Sequence, residues 1–222
     1  MTQTIELTAA DGHRFNAYLA EPAARPRGAL VVVQEIFGVN SHMRSVADGY
    51  AADGYLAIAP ALFDRIERGI ELGYADSDVQ RGVALKSATG TEDPLRDIAA
   101  AIARVAPAGR VGIVGYCWGG LLSWLAACTL DGLSASVPYY GGGVPGQAAL
   151  HPRCPVLAHF GARDSHIPLD TVEAFRAAQP GVAIHLYAAQ HGFNCDQRAS
   201  YDPPSAALAR ERTLAFLRQQ VG

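Results

Sequence analysis

A glycine-rich turn between a predicted strand and a predicted helix constrains this chain more than any other feature. Residues Gly115–Gly120 read Gly-Tyr-Cys-Trp-Gly-Gly, after the β-branched run Val111–Val114 and before a helical pattern over Gly119–Leu130. A Gly-x-nucleophile-x-Gly turn forces its central residue into a strained backbone conformation, and the flanking glycines avoid side-chain clashes. The N-terminus of the following helix favours a thiolate and offers backbone donors to an anion. We interpret Cys117 as an activated nucleophile.

A nucleophile in such a turn needs an acid and then a histidine, each after a later strand. Asp164 follows the predicted strand Pro155–Phe160, and His191 follows the predicted strand Ala183–Tyr187. In this arrangement the imidazole takes the thiol proton, while a buried carboxylate holds its tautomer and stabilises the imidazolium. The order and placement predict a triad of Cys117, His191 and Asp164.

Other acids and histidines fit this chemistry less well. Asp170 is an alternative acid, but it suits the first turn of a helix over Pro168–Gln179. His166 is too close to Asp164 along the chain for both to meet one nucleophile, and His159 lies inside a strand as a core residue. The remaining histidines lack a partner motif: His13, His42, His151 and His185. We find no metal-ligand spacing and expect neither a metal nor an organic cofactor.

Two further interpretations of the glycine-rich region are disfavoured. The stretch Val111–Leu130 carries no charge and is long enough for a membrane span, but a strand, a sharp turn and a buried helix explain it without lipid. A dinucleotide site would need Gly-x-Gly-x-x-Gly, which this turn does not match. We therefore expect no membrane association and no nucleotide cofactor.

Apolar strand-like runs alternate with helical patterns, which is typical of a parallel sheet with helices on both faces. The start differs, because Gln3–Leu7 and Arg14–Ala20 alternate around Asp11-Gly12 like an antiparallel hairpin. We predict an α/β fold with a mostly parallel central sheet, forming a single domain over residues 1–222. Ser41 is the expected cap of a helix that ends near Asp53, and Asp93 is the expected cap of a helix over Pro94–Arg104.

Composition limits the partners and the compartment. The 222 residues carry a formal net charge of −3, which argues against nucleic acid as a main partner. The four cysteines show no metal-finger or Cys-x-x-Cys spacing, and the first residues lack the features of a secretory signal. We therefore expect free thiols and a cytoplasmic protein. Apart from Cys117, the cysteines are interpreted as small buried apolar residues.

Together these motifs resemble those of the dienelactone hydrolase (carboxymethylenebutenolidase) family of the α/β-hydrolase fold. The resemblance runs along nearly the whole chain. Its most specific parts are the cysteine turn and the box Gln34–Gly38, which reads Gln-Glu-Ile-Phe-Gly. It is supported by the acid turn Gly161–Asp164 and by His191-Gly192-Phe193. The resemblance implies a monomer that hydrolyses a small lactone or ester through a thioester on Cys117. The family reaction converts a dienelactone to maleylacetate without a cofactor.

The resemblance also implies roles that spacing alone does not give. Glu35 would contact the resting thiol and help to activate it, and the backbone N–H groups of Ile36 and Trp118 would form an oxyanion hole. The remaining implied residues would bind the substrate, which can be anionic: Arg81, Tyr139, Phe37 and Arg198.

Two departures from the family pattern affect specificity. Cys195 stands where the family commonly has a second arginine, with Arg198 shortly after it, and Leu85 stands where the family has a pocket tyrosine. Such losses change binding more than chemistry. A carboxylesterase of broader specificity is therefore an alternative, and a non-catalytic binding module of the same fold is a second.

Overall fold

The computed structural model describes all residues 1–222, and its centre is one 8-stranded sheet. The strands are β1 (Thr2–Thr8), β2 (Arg14–Ala20), β3 (Ala29–Val33), β4 (Leu56–Pro60), β5 (Val111–Tyr116), β6 (Leu133–Tyr139), β7 (Leu157–Gly161) and β8 (Ala183–Tyr187). Their order is β1-β2-β4-β3-β5-β6-β7-β8. The pairs β1–β2 and β2–β4 are antiparallel and the others are parallel, which confirms the predicted hairpin and mostly parallel sheet.

Helices cover both faces of this sheet. They are α1 (Ser41–Ala52), α2 (Asp76–Thr89), α3 (Glu92–Val105), α4 (Trp118–Thr129), α5 (Leu169–Ala178) and α6 (Pro203–Gln220). Short 3₁₀ turns occupy Leu62–Arg65, Ala106–Ala108 and Pro145–Gln147. The charge-free stretch Val111–Leu130 is divided between β5 and α4, and none of the helices combines the length and apolarity needed to cross a bilayer.

Two predicted helix caps are wrong. Asn40 caps α1, since its side chain accepts a hydrogen bond from the Met43 N–H at 3.2 Å, whereas the Ser41 hydroxyl donates to Gln197. Asn and Ser are comparable caps, so the sequence alone does not separate neighbours of these types. Helix α3 begins at Glu92, which places Asp93 inside the first turn, where a carboxylate is favoured by the helix dipole.

The core forms two layers, one on each face of the sheet, because successive side chains along a strand point to opposite faces. Leu30 and Val32 of β3 belong to the apolar cluster on one face of the sheet, and Val31 and Val33 belong to the cluster on the other. Every residue of β3 is buried, as expected for a central parallel strand covered on both faces. This packing fixes the carboxyl ends of the central strands, from which the candidate site is built.

Candidate active site

The three predicted triad residues and Glu35 lie just beyond the carboxyl ends of parallel strands that are neighbours or near neighbours in the sheet. Glu35 comes two residues after β3, Cys117 directly follows β5, Asp164 follows β7 and His191 follows β8. In an open parallel sheet these ends share one edge, and ligands bind in the crevice outside it. Positions far apart in sequence are therefore brought to one site by the strand order.

The turn at Cys117 has the strained geometry that its sequence predicts. Cys117 has φ 54° and ψ −113°, and Tyr140 is the only other non-glycine residue with positive φ. A Cβ at Gly115 would lie 1.8 Å from the Gly119 carbonyl oxygen, and one at Gly119 would lie 2.4 Å from the Val33 carbonyl oxygen. Only glycine fits these two positions, so strand, turn and helix can pack closely enough to present Cys117 at the start of α4.

The imidazole of His191 is held between an acid and the thiol. Its Nδ1 lies 2.7 Å from Oδ2 of Asp164, whose side chain is fully buried and whose Oδ1 accepts the His166 N–H at 2.8 Å. Burial alone would lower the pKa of His191, but hydrogen bonds to Asp164 and to the Cys117 thiol outweigh it and raise the pKa to about 10. The imidazolium is thus the favoured form at neutral pH, and it can stabilise a thiolate on Cys117.

Cys117 and His191 open into a cavity of about 470 Å³, a size that suits a small organic molecule. Its walls include Phe37, Leu121 and the face of α2 that carries Val79 and Val83. Its lining also includes two permanent cations, Lys86 and Arg198, and no carboxylate.

Backbone donors are available beside the thiol. Trp118 is the first residue of α4, where the helix leaves its N–H without an intrahelical partner. The Ile36 N–H makes no backbone hydrogen bond, and both residues line the cavity. A Cβ at Gly82 of α2 would lie 2.2 Å from the Ile36 carbonyl oxygen, so glycine lets α2 pack directly on this loop. The arrangement can form the two-donor oxyanion hole that the resemblance implies.

Glu35 and Arg198 form an ion pair behind the thiol. Nη1 of Arg198 lies 3.5 Å from Oε1 of Glu35, whose carboxylate is almost completely buried and whose Oε2 has no hydrogen-bond partner. Arg198 also lies over the Phe37 ring, 5.6 Å from its centroid. Burial would lower the pKa of Arg198, but Glu35 and the Cys117 thiol raise it, so the guanidinium stays charged. The thiol's hydrogen bond is to His191, and the ionic partner of Glu35 is Arg198.

Two residues that the resemblance assigns to substrate binding lie outside this cavity. Arg81 is about half exposed, forms an ion pair with Glu67 and is not among the lining residues. It is two positions from Val79 and from Val83, which places it about 200° around the helix from the cavity face. Tyr139 is buried outside the cavity lining, and its hydroxyl lies 2.7 Å from Oγ1 of Thr213.

Three residues near the site were not predicted. The ring of His166 lies 5.1 Å from that of His191 and lines the cavity. The Tyr140 ring also lies 5.1 Å from His191, and its buried hydroxyl has no hydrogen-bond partner. Lys86 is notable in sequence only as the single lysine of the chain, and His166 is disfavoured in sequence because it is so close to Asp164 along the chain.

The fold and the Cys-His-Asp triad geometry define an α/β hydrolase, and comparisons with known proteins identify its family. The dienelactone hydrolase family model matches residues 15–221. Carboxymethylenebutenolidase from Pseudomonas putida is 37% identical over 230 residues, which cover 98% of this chain and 96% of that protein. The chain belongs to the dienelactone hydrolase family.

Solved structures agree with this family and fold. A Klebsiella pneumoniae protein described provisionally as a dienelactone hydrolase has 34% identity, a TM-score of 0.85 and 99% coverage of both chains. A dienelactone hydrolase-like promiscuous phosphotriesterase from metagenomic libraries, P91, has 22% identity and a TM-score of 0.78, covering 100% of this chain and 99% of its own, and it supports the fold alone. The chain is therefore a hydrolytic enzyme that acts on lactones or esters, and a non-catalytic binding module is not favoured.

Proposed function

We propose that the enzyme hydrolyses a small anionic lactone of the dienelactone type, with Cys117 as nucleophile, His191 as acid and base, and Asp164 as the group that orients His191. The observation that carries this proposal is the joint opening of Cys117 and His191 into a cavity whose lining has two cations and no carboxylate. The name of the Pseudomonas putida relative supports the same substrate class.

In the first half-reaction, the Cys117 thiolate attacks the lactone carbonyl carbon. A sulfur–carbon bond forms, and the carbonyl π electrons move to the oxygen, where the Ile36 and Trp118 N–H groups stabilise the negative charge. One such donor is worth about 3 to 4 kcal/mol in related hydrolases. Collapse of this intermediate breaks the ring carbon–oxygen bond, and His191 gives its proton to the leaving oxygen. A ring-opened thioester remains on Cys117.

In the second half-reaction, neutral His191 takes a proton from water as the water oxygen attacks the thioester carbonyl. The same backbone donors stabilise the second oxyanion. The carbon–sulfur bond then breaks, the sulfur leaves as the thiolate, and the acid product dissociates. His191 ends protonated beside the thiolate, so the pair that began the cycle is restored and no cofactor is consumed.

The substrate carboxylate is expected to bind Arg198, with Lys86 contributing at the rim. Arg198 is largely buried, so its bond to a carboxylate is expected to be worth about 1.5 to 3 kcal/mol, or roughly 10- to 150-fold in affinity. Lys86 is exposed and solvated, so its contribution is expected to be below about 1 kcal/mol. The position of Arg81 does not support a role in binding the substrate carboxylate, because Arg81 pairs with Glu67 outside the cavity.

The test is a panel of kcat/KM values for a dienelactone, a neutral lactone and a simple neutral ester. We expect Cys117→Ala to abolish hydrolysis of all three while the fold is retained. We expect Arg198→Met to raise KM for the dienelactone by roughly 10-fold or more and to affect the neutral substrates much less. Equal losses on charged and neutral substrates would remove the carboxylate-binding role of Arg198.

Two further variants separate the candidate cations. Lys86→Met is expected to raise KM for the dienelactone about 2- to 5-fold, and Lys86→Arg to restore it. Arg81→Met serves as a matched control on the same helix and is expected to leave KM unchanged. A large effect of Arg81→Met on the dienelactone alone would return that role to Arg81. If a neutral ester is the best substrate of the unaltered enzyme, the chain is a broader carboxylesterase.

We also propose that the enzyme works in the cytoplasm as a single-domain monomer. All four cysteines are free thiols, a state that a reducing cytoplasm preserves. All eight strands belong to one sheet, which supports a single domain over the whole chain, and the family resemblance favours a monomer.

A further inference from the structure

A mixed cluster of histidine, cysteine and carboxylate lies beside the proposed catalytic machinery and takes no part in it. A ring nitrogen of His42, Sγ of Cys195 and a carboxylate oxygen of Asp196 all lie within 4.8 Å of one another. His42 is the second residue of α1, and the other two follow His191 in the loop that leads to α6. No sequence motif predicted a partner for His42, because the two segments are far apart along the chain.

The imidazole of His42 has an unused ring nitrogen. Its Nδ1 lies 2.9 Å from Oδ1 of Asp196, and its Nε2 is buried without a hydrogen-bond partner. Only 4% of the His42 side chain is exposed. Because the two ring nitrogens point in nearly opposite directions, an ion bound also by Asp196 would take the place of the proton between Nδ1 and Oδ1, and Nε2 would carry the proton of the neutral imidazole.

The donor set identifies the kind of ligand that fits. One imidazole, one thiol sulfur and one carboxylate form a mixed set that borderline-soft divalent ions such as Zn²⁺ prefer. Ligand atoms around a tetrahedral zinc ion are about 3.3 to 3.8 Å apart, given zinc–ligand distances of about 2.0 to 2.3 Å. The Nδ1–Oδ1 distance of 2.9 Å would have to lengthen by about 0.4 Å, and the 4.8 Å limit on the other separations lies about 1 Å above this range. His42 and Asp196 also line a cavity of about 320 Å³ that gives access from solvent and room for a water ligand.

We propose that His42, Cys195 and Asp196 form a site for one divalent transition-metal ion of the zinc class, with water as the fourth ligand. This ion would join α1 to the loop that carries His191 and Arg198. That loop already contacts α1 through the Ser41–Gln197 hydrogen bond of 3.1 Å and the His42–Asp196 pair. The bound ion would therefore stabilise the loop in the conformation that places His191 at the thiol.

The test uses the full chain in a Cys117→Ala background, because the thiol and imidazole of the catalytic pair can bind a soft metal themselves. Zn²⁺ is titrated calorimetrically, and Co²⁺ is followed by absorption, since a thiolate ligand gives a charge-transfer band in the near ultraviolet. We expect one Zn²⁺ per chain, a Co²⁺ charge-transfer band and a raised Tm with Zn²⁺.

Variants of the cluster decide the assignment. Adding Cys195→Ala is expected to abolish the Co²⁺ charge-transfer band and to weaken Zn²⁺ binding at least 10-fold. Cys154→Ala, which alters another buried thiol, is the matched control and is expected to change neither. Asp196→Asn alters a side chain that is 59% exposed, so it tests the site without endangering the fold, and it is expected to weaken Zn²⁺ binding.

Three results would overturn the proposal. They are the absence of a charge-transfer band in the Cys117→Ala protein, a band that persists after Cys195→Ala, and Zn²⁺ affinity that Asp196→Asn leaves unchanged.

Discussion

Replacing Cys117 by glycine should give a more stable protein than replacing it by alanine. Cys117 has φ 54° and ψ −113°, a backbone conformation that disfavours any side chain but is open to glycine. Both variants lose the thiol and its hydrogen bond to His191, so these losses cancel when the two are compared. The difference between them isolates the backbone strain stored at the turn.

The size of this difference follows from two opposing terms. A non-glycine residue in a sparsely populated backbone region costs about 1 to 3 kcal/mol, which glycine relieves. Glycine also gives the unfolded chain more freedom, which costs about 0.5 to 1 kcal/mol relative to alanine. The free energy of unfolding should therefore be about 1 kcal/mol higher for Cys117→Gly than for Cys117→Ala, within limits of about 0 to 2.5 kcal/mol. In a chain of this size that is a rise in Tm of a few degrees.

Equilibrium urea unfolding of the two variants measures this difference directly, provided that their m-values agree. Ala207→Gly on the exposed side of α6 is the control, and it should destabilise the protein by about 1 kcal/mol because its backbone is helical. If Cys117→Gly is less stable than Cys117→Ala by a similar amount, Cys117 stores no strain and the argument is refuted.

Three further outcomes are expected. Asp164→Asn should lower kcat on the order of 10⁴-fold because the amide cannot hold the required tautomer of His191, and it should lower the free energy of unfolding because the charged hydrogen bond between Asp164 and His191 is lost; stopped-flow kinetics and urea unfolding check the two parts. His191 has its pKa raised from 6.5 to about 10, so the stability it gives through its charge should be complete below pH 6.5 and lost as the pH rises through 10. The unfolding free energy of the wild type minus that of His191→Gln, measured across this range, should fall accordingly, and a flat difference would contradict the assignment. Asp97 is fully buried and accepts two hydrogen bonds from Arg65, at 2.7 and 2.9 Å, so Asp97→Ala should cost about 3 to 5 kcal/mol in urea unfolding. Asp131→Ala, at an exposed pair, should cost less than about 1 kcal/mol.

The arrangement of the proposed triad could be predicted from sequence because its signals are local and ordered. Gly115, Cys117 and Gly119 lie within one turn, and the backbone of that turn allows few alternatives. Asp164 and His191 each follow a strand whose apolar run marks its end. The fold class followed from the same alternation of strands and helices, and boundary errors of a few residues did not alter it.

The residues proposed to bind the substrate could not be assigned from sequence, because side-chain direction decides which residues reach the cavity. On α2 the choice between Arg81 and Lys86 depends on which face turns toward the cavity, and packing of Gly82 against the Ile36 carbonyl sets that rotation. At the end of β6 the ring of Tyr140 lies beside His191, whereas the Tyr139 hydroxyl is bonded to Thr213, and the positive φ of Tyr140 was not visible in the sequence. The pairing of His42 with Asp196 joins distant segments, so no short motif could reveal it.

Under the proposed function, the close packing of Gly82 on the Ile36 carbonyl separates the residues that carry out the chemistry from those that set selectivity. Val79, Val83 and Lys86 occupy successive turns on the cavity side of α2, whereas the proposed nucleophile, base and acid are held by the ends of sheet strands. The side chains of Val79, Val83 and Lys86 can be exchanged without altering the turn at Cys117, as long as Gly82 keeps α2 in place. A small library at these three positions is therefore a direct route to altered substrate preference.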